Sequence, residues 1–233
     1  MKPNKSHGLL MSAPMILAYL AGKKTQTRRL KGLKLYNQFP DAWQVMERIP
    51  GRAFVIRNLL NGSDSLIHSP YGWKGDPIYF KETYAVMCRV AAPTCECETD
   101  QQIQDNHYIE YRADTGNAYP GEWPADEAKG NEDAPKWRSS LFMPQRFSRA
   151  HTTVADVHLA RLHKIKPEDV EAEGIHFIDD SWYTGLDGNA HRYTDKLQPY
   201  AELWDRLNGD TTPWIFNPWV WIISFPKYEG MQP

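Results

Sequence analysis

The sequence predicts an α+β domain built around a small β-barrel, with short helices at its flanks. Three observations predict it. Apolar and polar residues alternate in several short stretches, as in Tyr108-Ile109-Glu110-Tyr111-Arg112. Helical spacing appears only in three short segments. The connections between them are rich in Gly, Pro, Asn and Asp, with no internal repeat and no linker. Such a mixture of strands and a few helices packs as one α+β unit. The 233 residues, 41% of them hydrophobic, are enough for one large domain or two small ones with a substantial core.

In chain order, Ser12 caps a helix that begins near Pro14 and carries the apolar stripe Ile16, Leu17 and Leu20. Gly22 suits the position just past its end. Arg28-Arg29-Leu30 is a candidate strand opening. Residues 51–59 read as a strand closed by the turn signal Asn61-Gly62. The segment 70–76 is dense in turn formers, and 78–84 reads as the next strand. Residues 108–112 alternate as a half-buried strand does. Residues 113–136 have no period and read as a long surface loop. Residues 151–162 are β-like. Pro167 opens a short helix over 168–173 that stops at Gly174. Residues 178–195 read as loop. Tyr200, Leu203, Trp204 and Leu207 mark a helix ending before Gly209, and 219–225 is a final apolar strand.

Charge is distributed unevenly. The chain has 27 Lys+Arg against 29 Asp+Glu, yet residues 23–34 carry six cations (Lys23, Lys24, Arg28, Arg29, Lys31, Lys34) and no acid. Near-neutrality overall argues against a general polyanion-coating protein; a local cationic run argues for contact with phosphate, or for a solvated basic loop. Nine Trp and twelve Tyr supply rings that pack cores and also stack bases. Three cysteines form no disulfide framework and fit a reducing, cytoplasmic setting. The first residues lead into no long apolar run, so no signal peptide is read, and no stretch is long enough to span a bilayer.

Taken in order, five stretches resemble the ASCH family of the PUA-like superfamily. They are Ile16 to Arg29, close to an opening "ILxGxKTxTxR" pattern; Gly75 to Glu82; Trp137 to Pro144; Glu168 to Ile175; and Leu203 to Gly209 followed by Asn217-Pro218-Trp219-Val220-Trp221. The third and fifth are similar to the long form carried by bacteriophages and prophages. The resemblance implies a PUA-like pseudo-barrel over 1–233, with insertions near 35–70, 91–136 and 176–196. It implies a cleft facing RNA or a modified nucleoside, in the cytoplasm of a bacterial host. It also leaves room for a host protein partner held by the insertions. Some small members are similar to amidohydrolases that remove the acetyl group from 4-acetylcytidine, using a Lys and a Thr of the opening motif with a Glu of the later helix. Matched to this sequence, these are Lys24, Thr27 and Glu173. Other members are RNA binders or ribonucleases.

The chemistry of these residues leaves two arrangements open. In one, a neutral Lys24 is the base for a Thr27 nucleophile; burial and the nearby cations favour neutrality, while a close Glu173 opposes it. In the other, Glu173 is the base and a charged Lys24 stabilises the oxyanion. Lys24 and Thr27 can converge only if the chain bends between them, because positions 24 and 27 of a strand face opposite ways. A structural ion pair between Glu173 and Arg28 or Arg29 is the plainer reading of the acid. Lys23, Arg28 and Arg29 are candidates for phosphate contact. Tyr71 and Trp73 are candidates for base stacking, and Glu82 is a second acid candidate that also reads as a salt-bridged strand residue. Trp137, Trp204, Trp219 and Trp221 read as packing residues. Cys88, Cys95, Cys97 and His107 lack the spacing of paired zinc knuckles, so no metal or cofactor is assigned.

Overall fold

The structure, a computed structural model, describes residues 5–88, 107–115, 136–184 and 189–230. It is α+β. The elements in order are β1 (His7–Leu10), α1 (Ala13–Leu20), β2 (Gln26–Arg29), β3 (Trp43–Ile49), β4 (Ala53–Asn58), β5 (Asp64–Ile67), β6 (Pro77–Lys81), β7 (Tyr84–Cys88), β8 (His107–Tyr111), α2 (Arg112–Thr115), β9 (His151–Thr153), β10 (Asp156–Arg161), α3 (Pro167–Ala172), β11 (His176–Phe177), β12 (Trp182–Thr184), β13 (Ala190–Arg192), α4 (Gln198–Asn208) and β14 (Trp219–Ser224). They belong to two compact units. One holds the described residues of Met1–His7, Ala18–Ile78 and Thr152–Pro233; the other holds those of Gly8–Leu17 and Tyr79–His151.

The first unit is organised by β14. This apolar strand pairs antiparallel with β10 on one side and β2 on the other, in the order β10-β14-β2. A strand flanked by partners and covered on both faces reads as continuous apolar sequence, and Trp219, Val220, Trp221 and Ile223 are all buried. The register sets Ile223 opposite Thr27 and Ile222 opposite Arg28, so strand pairing places the basic motif beside the core. A second sheet is the meander β3-β4-β5, whose last turn is the expected Asn61-Gly62, with Gly62 at φ 72°. Phe54 of β4 packs against both Trp73 and Trp221. Each of these sheets ends in edge strands.

Residues 178–195 depart from the sequence reading. They contain β12 and β13, which pair in the order β11-β12-β13. The strands are two or three residues long, too short for alternation to register as a pattern. Phe177, Tyr183 and Tyr193 pack their rings together, and that packing supplies what the local pattern lacks.

In the second unit, Met11 N–H donates to the Lys81 carbonyl and Phe80 N–H to that of Ala150. β7 and β8 form an antiparallel pair, with Tyr84 opposite Tyr111. Tyr84, Met143 and Phe147 make its core. The strand expected over 78–84 breaks at Glu82-Thr83. There the Glu82 N–H points to Met143 Sδ at 3.2 Å, outside any ladder. Most of the expected loop 113–136 lies outside the described residues, as do Cys95 and Cys97 and the side chains of Cys88 and His107.

Candidate active site

The opening motif is bent into place by three backbone contacts. α1 ends at Gly22, whose φ of 69° suits a residue without Cβ. The Lys23 and Lys24 N–H groups both donate back to the Ala18 carbonyl, at 2.9 and 3.1 Å. Lys24 therefore sits in a turn, with β2 beginning two residues later. The Thr25 N–H donates to the Ala172 carbonyl at the end of α3 (2.9 Å), and the Thr25 carbonyl accepts from Phe225 N–H just past β14 (2.9 Å). The motif is thereby tied to the two elements that flank it.

α3 brings the acid. Pro167 opens the helix, and the Lys166 N–H donates to Asp169 Oδ2 at 3.0 Å. Glu173 is its last cap residue, and Gly174 turns the chain away at φ 97°. Any Cβ at position 174 would stand 3.0 Å from the Ala18 Cβ and 3.3 Å from the Lys24 Cβ. The glycine lets the α3 terminus approach the motif closely.

Lys24 Nζ donates to Glu173 Oε2 at 2.8 Å and to the Glu173 backbone carbonyl at 2.7 Å. Arg28 Nη1 donates to Glu173 Oε1 at 3.0 Å and to Gln26 Oε1 at 2.7 Å. Arg28 Nη2 lies 3.1 Å from Asp169 Oδ2. The Tyr200 hydroxyl, from α4, donates to Glu173 Oε1 at 3.4 Å, and the Arg28 guanidinium lies over its ring at 5.6 Å. The cluster is closed to solvent: Lys24 and Thr27 are 0% exposed, Glu173 2% and Arg28 3%. Removing one partner from such a buried pair costs about 3–5 kcal/mol, since the other charge is left uncompensated.

Burial pushes Lys24 below the ordinary lysine value; Glu173 opposes this, and Arg29 and Arg28 push it further down. Burial, reinforced by the Glu173 charge, raises Tyr200 well above the tyrosine range, so its hydroxyl keeps its proton and acts as a donor. Thr27 Oγ1 is buried without a hydrogen-bond partner among the described residues. A buried hydroxyl left in this way is uncommon and calls for an explanation.

The other sequence candidates lie elsewhere. Lys23 is exposed and Arg29 half-buried, with Arg29 Nη1 donating to the Arg28 carbonyl. Tyr71 is buried, and Trp73 stacks on Phe54 at 5.5 Å between ring centroids. Glu82 belongs to the second unit, where Arg149 grips both of its oxygens at 2.9 Å and also pairs with Asp114. The ion pair left open between Arg28 or Arg29 and an acid is made by Arg28 with Glu173. Sequence reasoning missed Asp169, Gln26 and Tyr200 as members of the cluster. Asp169 stands four residues before Glu173, one helical turn along the same face, and that spacing was a usable signal.

Among the described residues no group of three His, Cys, Asp or Glu side chains is placed to hold a metal ion, and no helix is long and apolar enough to cross a membrane. No family model, no curated protein and no solved structure matches the chain.

Proposed function

We propose that this chain is a PUA-like protein of the ASCH type that binds RNA or a modified nucleoside, and that it hydrolyses the N-acyl group of an N-acylated cytidine. The observation that carries the reading is the buried 2.8 Å contact between Lys24 and Glu173, residues 149 positions apart. Both come from the motif positions that the resemblance ties to deacylation.

Of the two arrangements left open by the sequence we adopt the neutral-lysine one, because burial lowers the Lys24 pKa. A neutral amine has two hydrogens and a lone pair. Glu173 accepts twice from Lys24, which accounts for both hydrogens and leaves the lone pair unengaged. Both Glu173 oxygens are already occupied by donors, so Glu173 orients Lys24 and is a poor receiver of another proton. Thr27, with no competing hydrogen bond, is the nucleophile. Lys24 and Thr27 are 0% exposed and share no hydrogen bond, so the reaction requires the cluster to open to the substrate; there the Thr27 Oγ attacks the acyl carbonyl carbon while Lys24 takes the hydroxyl proton. Lys24 returns that proton to the departing cytosine amine as the C–N bond breaks, leaving an ester on Thr27. Water then attacks the ester, Lys24 takes a proton from the water, and Thr27 Oγ regains it. The products are cytidine and a carboxylic acid.

Purified protein should release cytidine from 4-acetylcytidine, and Lys24→Ala or Glu173→Ala should stop the release. Unchanged turnover in both variants rejects the assignment. The closure of the cluster favours a second reading, a non-catalytic RNA-binding module in which Lys24, Arg28 and Glu173 form a buried structural ion cluster. There the folded wild-type chain binds RNA without turnover, and Thr27→Ala leaves binding unchanged.

A further inference from the structure

A cavity of about 870 Å³ opens in the first unit between the segment after β2 and the turn before β14. None of its lining residues belongs to the Lys24 cluster. We infer that it is a binding site for a nucleoside 5′-monophosphate unit, either a free mononucleotide or one residue of single-stranded RNA.

Both walls are preformed. On one side, Ile215 and Phe216 lie in a single turn of 3₁₀ helix and remain 79% and 60% exposed. Large apolar side chains presented this openly on a rigid turn mark a contact surface. The turn is rigid because it is pinned at each end. The Trp214 N–H donates to Asp205 Oδ1 at 2.6 Å, and the Trp214 carbonyl meets His163 Nε2 at 2.8 Å. After the turn Asn217 adopts a left-handed conformation (φ 45°), a strained state for a residue with a Cβ. Two bonds hold it there: its Oδ1 accepts the His163 N–H at 2.7 Å, and its carbonyl accepts Arg161 Nε at 2.5 Å. On the other side, the Asn37 amide makes a reciprocal pair with the Trp219 backbone at 2.7 and 3.0 Å, and Trp219 Nε1 donates to the Pro40 carbonyl at 2.9 Å. The two walls are thus fastened to the same short stretch, 217–219.

The lining selects the ligand. Phe216 and Ile215 offer an apolar face to a planar base. Lys34, the last cation of the basic run, and the Gln38 side-chain amide also line the cavity, and among the described residues neither has a side-chain partner. An unpaired ammonium suits a phosphate and an unpaired amide suits the edge of a base. Thr211 and Thr212 also line the cavity; their hydroxyls donate to the Asn208 carbonyl and to Thr211 Oγ1, which leaves them acceptor lone pairs for a ribose hydroxyl. The acid at the rim, Asp41, is 93% exposed and pairs with Arg161 Nη1 at 2.7 Å, facing solvent. An apolar face, one free cation and one free amide in a cavity of this size match a nucleotide better than an uncharged or wholly apolar ligand.

The test is a titration of the full chain with cytidine and adenosine 5′-monophosphates and, separately, with a single-stranded hexaribonucleotide. Lys34→Glu and Phe216→Ala are assayed in parallel, with thermal melts showing that each variant is folded. Both side chains are at the surface, so both variants should melt as the wild type does. Binding of the mononucleotide and the hexamer with equal affinity identifies a free nucleotide as the occupant; binding of the hexamer alone identifies RNA. In either case each substitution should weaken binding by about tenfold or more. Absence of binding by every ligand, or wild-type affinity in both variants, overturns the inference. The site does not depend on the deacylation reading: Thr27→Ala, shown folded by the same melts, should stop turnover while sparing this binding, and Lys34→Glu should do the reverse.

Discussion

Lys24 carries the mechanism, and its protonation is set by opposing neighbours. Its pKa is lowered by burial, raised by Glu173 and lowered by Arg29 and Arg28. A lysine that must be neutral gives a turnover rate that rises with pH through its lowered pKa and levels off at a lower pH than an ordinary lysine would give. Taking away the Arg29 charge removes an influence that keeps the value low. In Arg29→Gln the acid limb of the kcat profile should therefore move to higher pH. A limb that stays in place or moves to lower pH would show that Lys24 is not the base. The same residue illustrates how far the chain could be read. Gly22-Lys23-Lys24 identified a bend after α1, because glycine is the residue that tolerates positive φ. Residue pattern and spacing alone did not identify Glu173, rather than Glu82, as the partner of Lys24; only the family resemblance singled out Glu173. The sequence places Glu173 in the last turn of a short helix and Glu82 on a strand, and both read locally as salt-bridged residues.

At the scale of elements, the close approach of α3 to the opening motif depends on Gly174. Alanine there would have to hold φ near 97° and place its Cβ 3.0 Å from that of Ala18. Gly174→Ala should destabilise the fold by about 1–3 kcal/mol, read as a lower denaturant midpoint with an unchanged m-value. If the α3 terminus shifts to relieve the clash, the Lys24–Glu173 contact lengthens, and turnover should fall by more than the loss of folded protein explains. The longer elements were legible because they obey one period throughout. α4 shows the stripe Tyr200, Leu203 and Trp204, all buried, and β14 is one apolar run. β12 and β13 were not legible, since three residues hold no period and their pairing is secured by rings that meet only in the folded chain.

For the whole molecule, a net charge of −2 confines any nucleic-acid contact to local cations. The basic run is divided by the fold: Lys24 and Arg28 are buried and committed to acids, while Lys23, Lys31 and Lys34 are exposed. Affinity for a single-stranded oligoribonucleotide should therefore depend only modestly on salt. A plot of log K against log salt should have a slope of about −0.7 for each phosphate neutralised, with about two or three phosphates in play. A slope several times steeper would mean that a much larger basic surface is engaged.

The amino-acid sequence by itself determined the α+β class, the bend after α1, the stop of α3 and the types of residue available for chemistry. These are local properties: the period of apolar residues, and the few residues that accept positive φ or end a helix. Only the tertiary structure decided which cation meets which carboxylate, that Arg28 is a buried partner of Glu173 and is not free for phosphate, and that Tyr200 completes the cluster. Those pairings join residues far apart in the chain. They depend on the register of β2 against β14 and on how closely α3 can approach, and neither quantity is written in any local stretch of residues.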